Sequence, residues 1–365
     1  MTKLRRTNQE KYLLIALLVA VAAYATEHHI LAAGRAVTLI AAFAFVATII
    51  LASTRVAHHA EVLAVKVGDP YGTMILTLSA VLVEVVVLGI MMQAAISPTL
   101  VRDTIYAAVM LDINGIIGLA ALMGGLLHGE QPYNDDSSRT YGVMILTAMG
   151  ISMIVPEFVP RESWKLYSAF TIGAMVALYT LFLRLQVGRH SYFFSYAYPR
   201  ADQRGPLEKH PEADEPALPS ILIILAGVVI IGGLAEVMAA TLNTGLEGSG
   251  APPALMAVIV AAISAAPEIL TAMRAALANR MQSVVNIAMG ASLSTVILTV
   301  PVMEAIALYT GQPFVMAMTP VQSVMTVITL VVAAINLNDG MTNAIEGMTH
   351  FILFATFVML TVIGL

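Results

Sequence analysis

Apolar runs of about 20 residues recur along the whole of this 365-residue chain, broken by short clusters of charged residues, Pro and Gly. A run of that length crosses a ~30 Å hydrocarbon layer as a helix, since only a helix satisfies its own backbone N–H and C=O groups there. Hydrophobic residues make up 59% of the chain and charged residues 11%, where a soluble domain carries roughly a quarter charged. A transmembrane β-barrel would show short alternating segments instead. The pattern predicts an all-α polytopic membrane protein with eleven transmembrane helices, at about 12–33, 36–57, 72–96, 101–127, 140–160, 164–187, 219–243, 252–278, 283–310, 315–336 and 343–364.

The basic start and the Ala23–Ala25 pattern of the first run resemble a signal peptide. We read it instead as an uncleaved first span, because the rest of the chain is itself membrane-embedded. With the N-terminus in the cytoplasm, only four of the 18 Lys and Arg residues (Arg35, Arg102, Arg161 and Lys165) fall on the opposite side. The positive-inside bias therefore predicts N-in, C-out. Cysteine is absent, which excludes disulfides, thiol catalysis and thiolate metal sites. The net charge of -5 comes with no basic patch for nucleic acid. The lipid bilayer is the expected partner, and a homo-oligomer is compatible with the sequence.

The long hydrophilic stretch 188–218 has the Pro and charge content of a cytoplasmic linker, acidic at Glu208, Glu212, Asp214 and Glu215. It divides the chain into an N-terminal helix (1–34), a first five-helix repeat (35–187) and a second five-helix repeat (219–365). An odd number of spans per half requires the second half to enter the membrane upside down, the inverted-repeat plan of many secondary transporters.

Inverted repeats pair the third helix with the eighth, and each holds one mid-span acid, Glu84 in SAVLVE and Glu268 in ISAAPE. A mid-bilayer acid costs ~2.5–3.5 kcal/mol even on lenient insertion scales, so two matched ones imply a function. Inversion predicts that both approach one central point. Pro267 removes a backbone donor beside Glu268 and frees carbonyls, an environment for a hard cation. The fourth and ninth helices pair likewise, offering Asp112 and Asn114 on one and Asn286, Ser292 and Ser294 on the other, with Ser264 in the eighth. Their oxygens are candidate accessory lining.

The stretches HHAEVLAVKVGDPYGTMILTLSAVLVEVVVLG, LVRDTIYAAVML and NIAMGASLSTVILTVPV resemble the bacterial ChaA-type antiporters of the cation/proton exchanger branch of the calcium/cation antiporter superfamily. The resemblance spans nearly the whole chain and implies eleven helices with an acidic loop after the sixth. It places the family's Gly-Asn-Ala-x-Glu repeats on Ala80–Glu84 and Ser264–Glu268, here without their Asn, and puts Ser294 where the wider family has a glutamine. These departures leave the acids in place and fit a protein that exchanges sodium or potassium as well as calcium.

A carboxylate in the bilayer is costly to ionise and holds a proton until a cation displaces it. Competition at one site exposed alternately to either side then couples Ca2+ and/or Na+ (with K+) export to H+ entry, with two protons per Ca2+ and fewer in a Na+ mode. No Gly-Lys pair occurs, hence no Walker A sequence; the proton gradient is the expected driving force, across a bacterial inner membrane. No cofactor and no enzymatic activity are expected. Glu61, Asp103 and Glu236 are candidates for ion entrances, with His58 and His59 beside the first, while Glu157, Glu304 and Glu346 near helix ends are expected to reach water. A monovalent-only Na+(K+)/H+ antiporter and a cation channel are the alternatives. An intramembrane metallopeptidase is disfavoured, because HHAEVLA lacks the His-Glu-x-x-His pair.

Overall fold

A computed structural model describes residues 2–67, 71–93, 97–187, 191–194, 217–250, 252, 254–312 and 314–365, and these are almost wholly helical. Among them, eight helical stretches are long and apolar enough to cross a membrane, or nine if the bent pair α9 (Ala254–Ser264) and α10 (Ala266–Leu277) is one span. Two further apolar helices, Thr77–Gln93 and Pro320–Asn336, are shorter. The acids Glu208, Glu212, Asp214 and Glu215 lie outside the described residues.

Two compact units emerge, Met1–Leu100 with Pro211–Pro267 and Val101–His210 with Glu268–Leu365. Each therefore draws on both sides of the hydrophilic stretch. In the first unit, α1 (Thr2–Ala32) and α2 (Arg35–Val67) meet at Gly34, whose φ of 94° is a left-handed turn suited to glycine. α2 packs on α8 (Ala217–Leu246) and α3 (Tyr71–Gln93). Between membrane helices the gain comes from close van der Waals packing, so small residues sit at the crossing. Gly227 faces Val56, and a Cβ on Gly245 would stand 2.7 Å from Leu39 Cδ2. Polar ties reinforce the apolar contacts. Arg35 Nε donates to the Gly245 carbonyl at 3.0 Å, and His59 Nδ1 lies 3.2 Å from Ser220 Oγ.

The second unit is built around one long span, Leu100–His128, formed by α4 (Leu100–Val109), a π segment (Met110–Ile117) and α5 (Gly118–His128). Its residues are mostly apolar and mostly buried, as suits a central helix. α6 (Asp135–Met149) starts at Asn134, whose side chain accepts from Asp136 N, with Asp135 and Asp136 in the first turn, where negative charge suits the helix dipole. α7 is Trp164–Val187, α11 Met281–Ser294, α12 Val300–Thr310, α13 Pro320–Asn336 and α14 Ala344–Val362. Thr319 and Gln322 close α13 with a capping box. The two-residue strands β1 (Gln131–Pro132) and β2 (Met341–Thr342) pair antiparallel and pin two loops together.

α9 breaks at Ala265, two residues before Pro267, and the chain passes from one unit to the other at Pro267–Glu268. The missing N–H and ring of Pro267 prevent a straight helix there. Glu304 corrects an expectation: it is 2% exposed and enclosed by α7, so it does not reach water.

Candidate functional site

α3 carries Glu84 at 6% exposure, with Val81, Val83, Val87 and Leu88 buried beside it. Elsewhere in the first unit, Glu61 on α2 and Glu236 on α8 are exposed, and Ser264 ends α9 half-buried. Glu236 is engaged, since the Tyr24 hydroxyl donates to its Oε2 at 2.6 Å.

In the second unit the π segment Met110–Ile117 presents Asp112 and Asn114, both buried. A π segment widens the turn and shifts the phase of the residues after it, and such segments recur at functional positions. Ser292 on α11 donates its hydroxyl to Asp112 Oδ2 at 3.0 Å. Sequence reasoning named both residues, and the fold brings them into contact. The span holding Ser292 has its own π segment, Thr295–Thr299, directly after Ser294.

Asn114 sits in a network the sequence did not reveal. Its Nδ2 donates to Thr329 Oγ1 at 2.7 Å, and its Oδ1 lies 3.0 Å from His350 Nδ1. An amide oxygen only accepts, so His350 must carry its proton on Nδ1. That leaves His350 Nε2 buried without a hydrogen-bond partner. The signal for His350 was in the sequence, as an ionisable side chain inside an apolar span; Thr329 carried none.

The other candidates have surroundings of their own. Asn286 donates from Nδ2 to the Phe194 carbonyl at 2.8 Å and accepts from Gln282 at 2.9 Å. Ser294 bonds back to the Ala291 carbonyl of its own helix. Asp103 is buried, with Oδ1 accepting from Arg102 Nη2 at 2.7 Å and from Gln322 at 2.9 Å, so its charge is neutralised. Glu268, half-buried, opens the first turn of α10. Outside the spans, Tyr133 is buried, and burial followed by the nearby Asp339 charge pushes its hydroxyl pKa up.

Among the described residues, no three His, Asp or Glu side chains converge on a metal position. What Asp112 and Ser292 offer is a carboxylate beside a neutral oxygen, hard ligands suited to Ca2+ or an alkali cation.

Two stretches, residues 37–188 and 219–363, match the sodium/calcium exchanger protein family. The sodium-potassium/proton antiporter ChaA of Escherichia coli (strain K12) is 32% identical over 266 residues, 72% of each chain. The Ca(2+)/H(+) antiporter of Aphanothece halophytica is 23% identical over 278 residues, 72% of this chain and 74% of that one. Native YfkE shares the fold, with a TM-score of 0.72 at 18% identity over 92% of this chain and 99% of its own. A polytopic helical protein with these matches is a member of a known transport family: the chain belongs to the sodium/calcium exchanger protein family.

Proposed function

We propose that this chain is a secondary active cation/proton antiporter, exporting Ca2+ and/or Na+, with K+ as a further substrate, in exchange for H+ by alternating access at Glu84 and Glu268. The observation that carries the reading is the buried carboxyl group of Glu84, 6% exposed on a largely apolar helix. A proton or a cation offsets the cost of such a group, and exchanging one for the other is antiport. Asp112, Asn114, Ser264, Asn286, Ser292 and Ser294 are the accessory oxygen lining. The family matches on both sides of the hydrophilic stretch support a duplicated chain: eleven spans, as one N-terminal helix and two inverted five-helix repeats. Bacterial relatives and the distribution of basic residues favour an inner-membrane protein, with its N-terminus cytoplasmic and its C-terminus periplasmic.

A monovalent-only Na+(K+)/H+ antiporter is the second reading. It is favoured by the greater identity to the sodium-potassium/proton antiporter, 32% against 23% for the calcium antiporter. Inside-out vesicles carrying a ΔpH and challenged separately with Ca2+, Na+ and K+ decide between the two. Glu84→Gln and Glu268→Gln should each abolish dissipation at normal expression, and full activity in either variant would reject the site.

A further inference from the structure

Glu304 is a buried acid with no part in the mechanism above. It lies on α12 at 2% exposure and faces Ser168 and Thr171 of α7, at 7% and 0%. Thr171 Oγ1 is 2.6 Å from Glu304 Oε2, and Ser168 Oγ is 3.3 Å from Oε1. The same Thr171 Oγ1 is 2.9 Å from the Ser168 carbonyl oxygen. Among the described residues, no cation is ion-paired with Glu304. The basic residues of α7, Lys165 and Arg184, are exposed.

Donor and acceptor counting is met by a neutral acid, and burial without a cation favours that form. A threonine hydroxyl has one proton and can both donate and accept, whereas a backbone carbonyl only accepts. If Glu304 were ionised, the single proton of Thr171 would be shared between the Ser168 carbonyl and Oε2. If Glu304 is a neutral acid, every contact is satisfied: Thr171 donates to the Ser168 carbonyl, Oε2–H donates to Thr171, and Ser168 donates to Oε1. The 2.6 Å separation lies within the range for an acid O–H donor. Burial without a cation also disfavours the charged form. The titratable neighbour on α7 is Tyr167, whose hydroxyl donates to the Ile151 carbonyl at 2.6 Å. The adjoining π segment adds only the hydroxyls of Thr295 and Thr299.

We infer that Glu304 is a proton-binding site separate from Glu84 and Glu268, holding its proton on Oε2 against the Ser168–Thr171 pair. Release requires α7 and α12 to part enough to admit water; it then breaks the Oε2–H bond, leaves the electron pair on the carboxylate and passes the proton to that water. Its part in exchange rests on the antiporter reading, but the protonation state does not.

Infrared spectroscopy of the purified full chain at neutral pH tests the site directly. The neutral-acid carbonyl stretch should lose one component in Glu304→Gln while the components of Glu84 and Glu268 remain, and that one component should be displaced in Thr171→Val. Glutamine preserves the shape and hydrogen bonds of a neutral acid, so the thermal midpoint of Glu304→Gln should match wild type at neutral pH. Identical spectra for wild type and Glu304→Gln would overturn the proposal, as would a large loss of midpoint in Glu304→Gln. Absence of exchange in wild-type vesicles alongside the expected infrared result would reject the antiporter reading while upholding the proton site.

Discussion

The Ser292 hydroxyl donates to the Asp112 carboxylate at 3.0 Å, across 180 residues of sequence. Each belongs to a span interrupted by a π segment. If Asp112 is a cation ligand, charge removal should hurt more than loss of the hydroxyl. Asp112→Asn is expected to raise the Ca2+ concentration needed for half-maximal ΔpH dissipation by tenfold or more, since hydrogen bonds and contacts to charged groups are worth about 1.5–3 kcal/mol. Ser292→Ala should shift it less. An unchanged half-saturation in Asp112→Asn would remove Asp112 from the ion path.

His350 and Asn114 provide a second test. His350→Ala leaves the buried Asn114 Oδ1 without its donor, which costs about 1–3 kcal/mol, in addition to the cavity. His350→Gln can restore a donor. Thermal unfolding in detergent should therefore rank wild type above Gln and Gln above Ala. Equal midpoints for Gln and Ala would mean that the hydrogen bond contributes nothing to the fold.

Arg102 and Asp103 form a buried pair, with Arg102 Nη1 also donating to the Ala317 carbonyl at 2.8 Å. Removing one partner strands the other, so Arg102→Met is expected to cost about 3–5 kcal/mol. The double variant Arg102→Met/Asp103→Leu should recover most of that loss, because replacing a whole buried pair with apolar groups is often near neutral. If the double variant is no better than the single one in thermal unfolding, the pair itself is stabilising.

These residues show what the sequence could disclose. A single acid in an apolar run marks Glu84, whose side chain is buried; Pro267 marks a strained turn, whereas the run 252–278 reads as one helix and breaks at Ala265. The pairing of Asp112 with Ser292 was not legible, although both were candidates. It depends on the rotation of two spans, and π segments shift that rotation with no simple signature. Glu304 was misjudged because its depth was counted along a straight helix, while its burial comes from Ser168 and Thr171 on α7. Asn286 donates to the Phe194 carbonyl and accepts from Gln282, partners that spacing alone does not show.

Tyr133 gives a pH dependence whose sign can be stated. Burial raises its pKa above the ordinary value of 10.0. Below about pH 10 the group is neutral in both folded and unfolded chains and its contribution is constant. As the pH rises from there toward the raised folded value, the unfolded state loses its proton first, and stability falls by up to ~1.4 kcal/mol per pH unit. Tyr133→Phe removes this dependence and forfeits only the 3.3 Å bond to the Met341 carbonyl. The variant should be slightly less stable than wild type at pH 8 and overtake it above about pH 10. Parallel stability curves across that range would contradict the burial of this hydroxyl.

The crossing of α5 and α14 yields the sharpest steric test. A Cβ on Gly118 would stand 2.7 Å from Phe351 N and 3.1 Å from His350 Cβ, and one on Gly347 would press on the Leu122 backbone. Backbone atoms cannot swing aside as a flexible side chain can, so α5 and α14 would have to separate. Gly118→Ala and Gly347→Ala are each expected to destabilise by about 1–3 kcal/mol. Gly173, inside α7, is the control, because an added Cβ there meets nothing within 4 Å. Gly173→Ala should be neutral or gain up to ~1 kcal/mol from helix propensity. Moving α14 also moves His350, so the crossing variants should disturb Asn114 and slow exchange, whereas Gly173→Ala should not. Thermal midpoints and ΔpH dissipation on the three variants check both parts. A stable, fully active Gly118→Ala would show that α5 and α14 do not cross this closely.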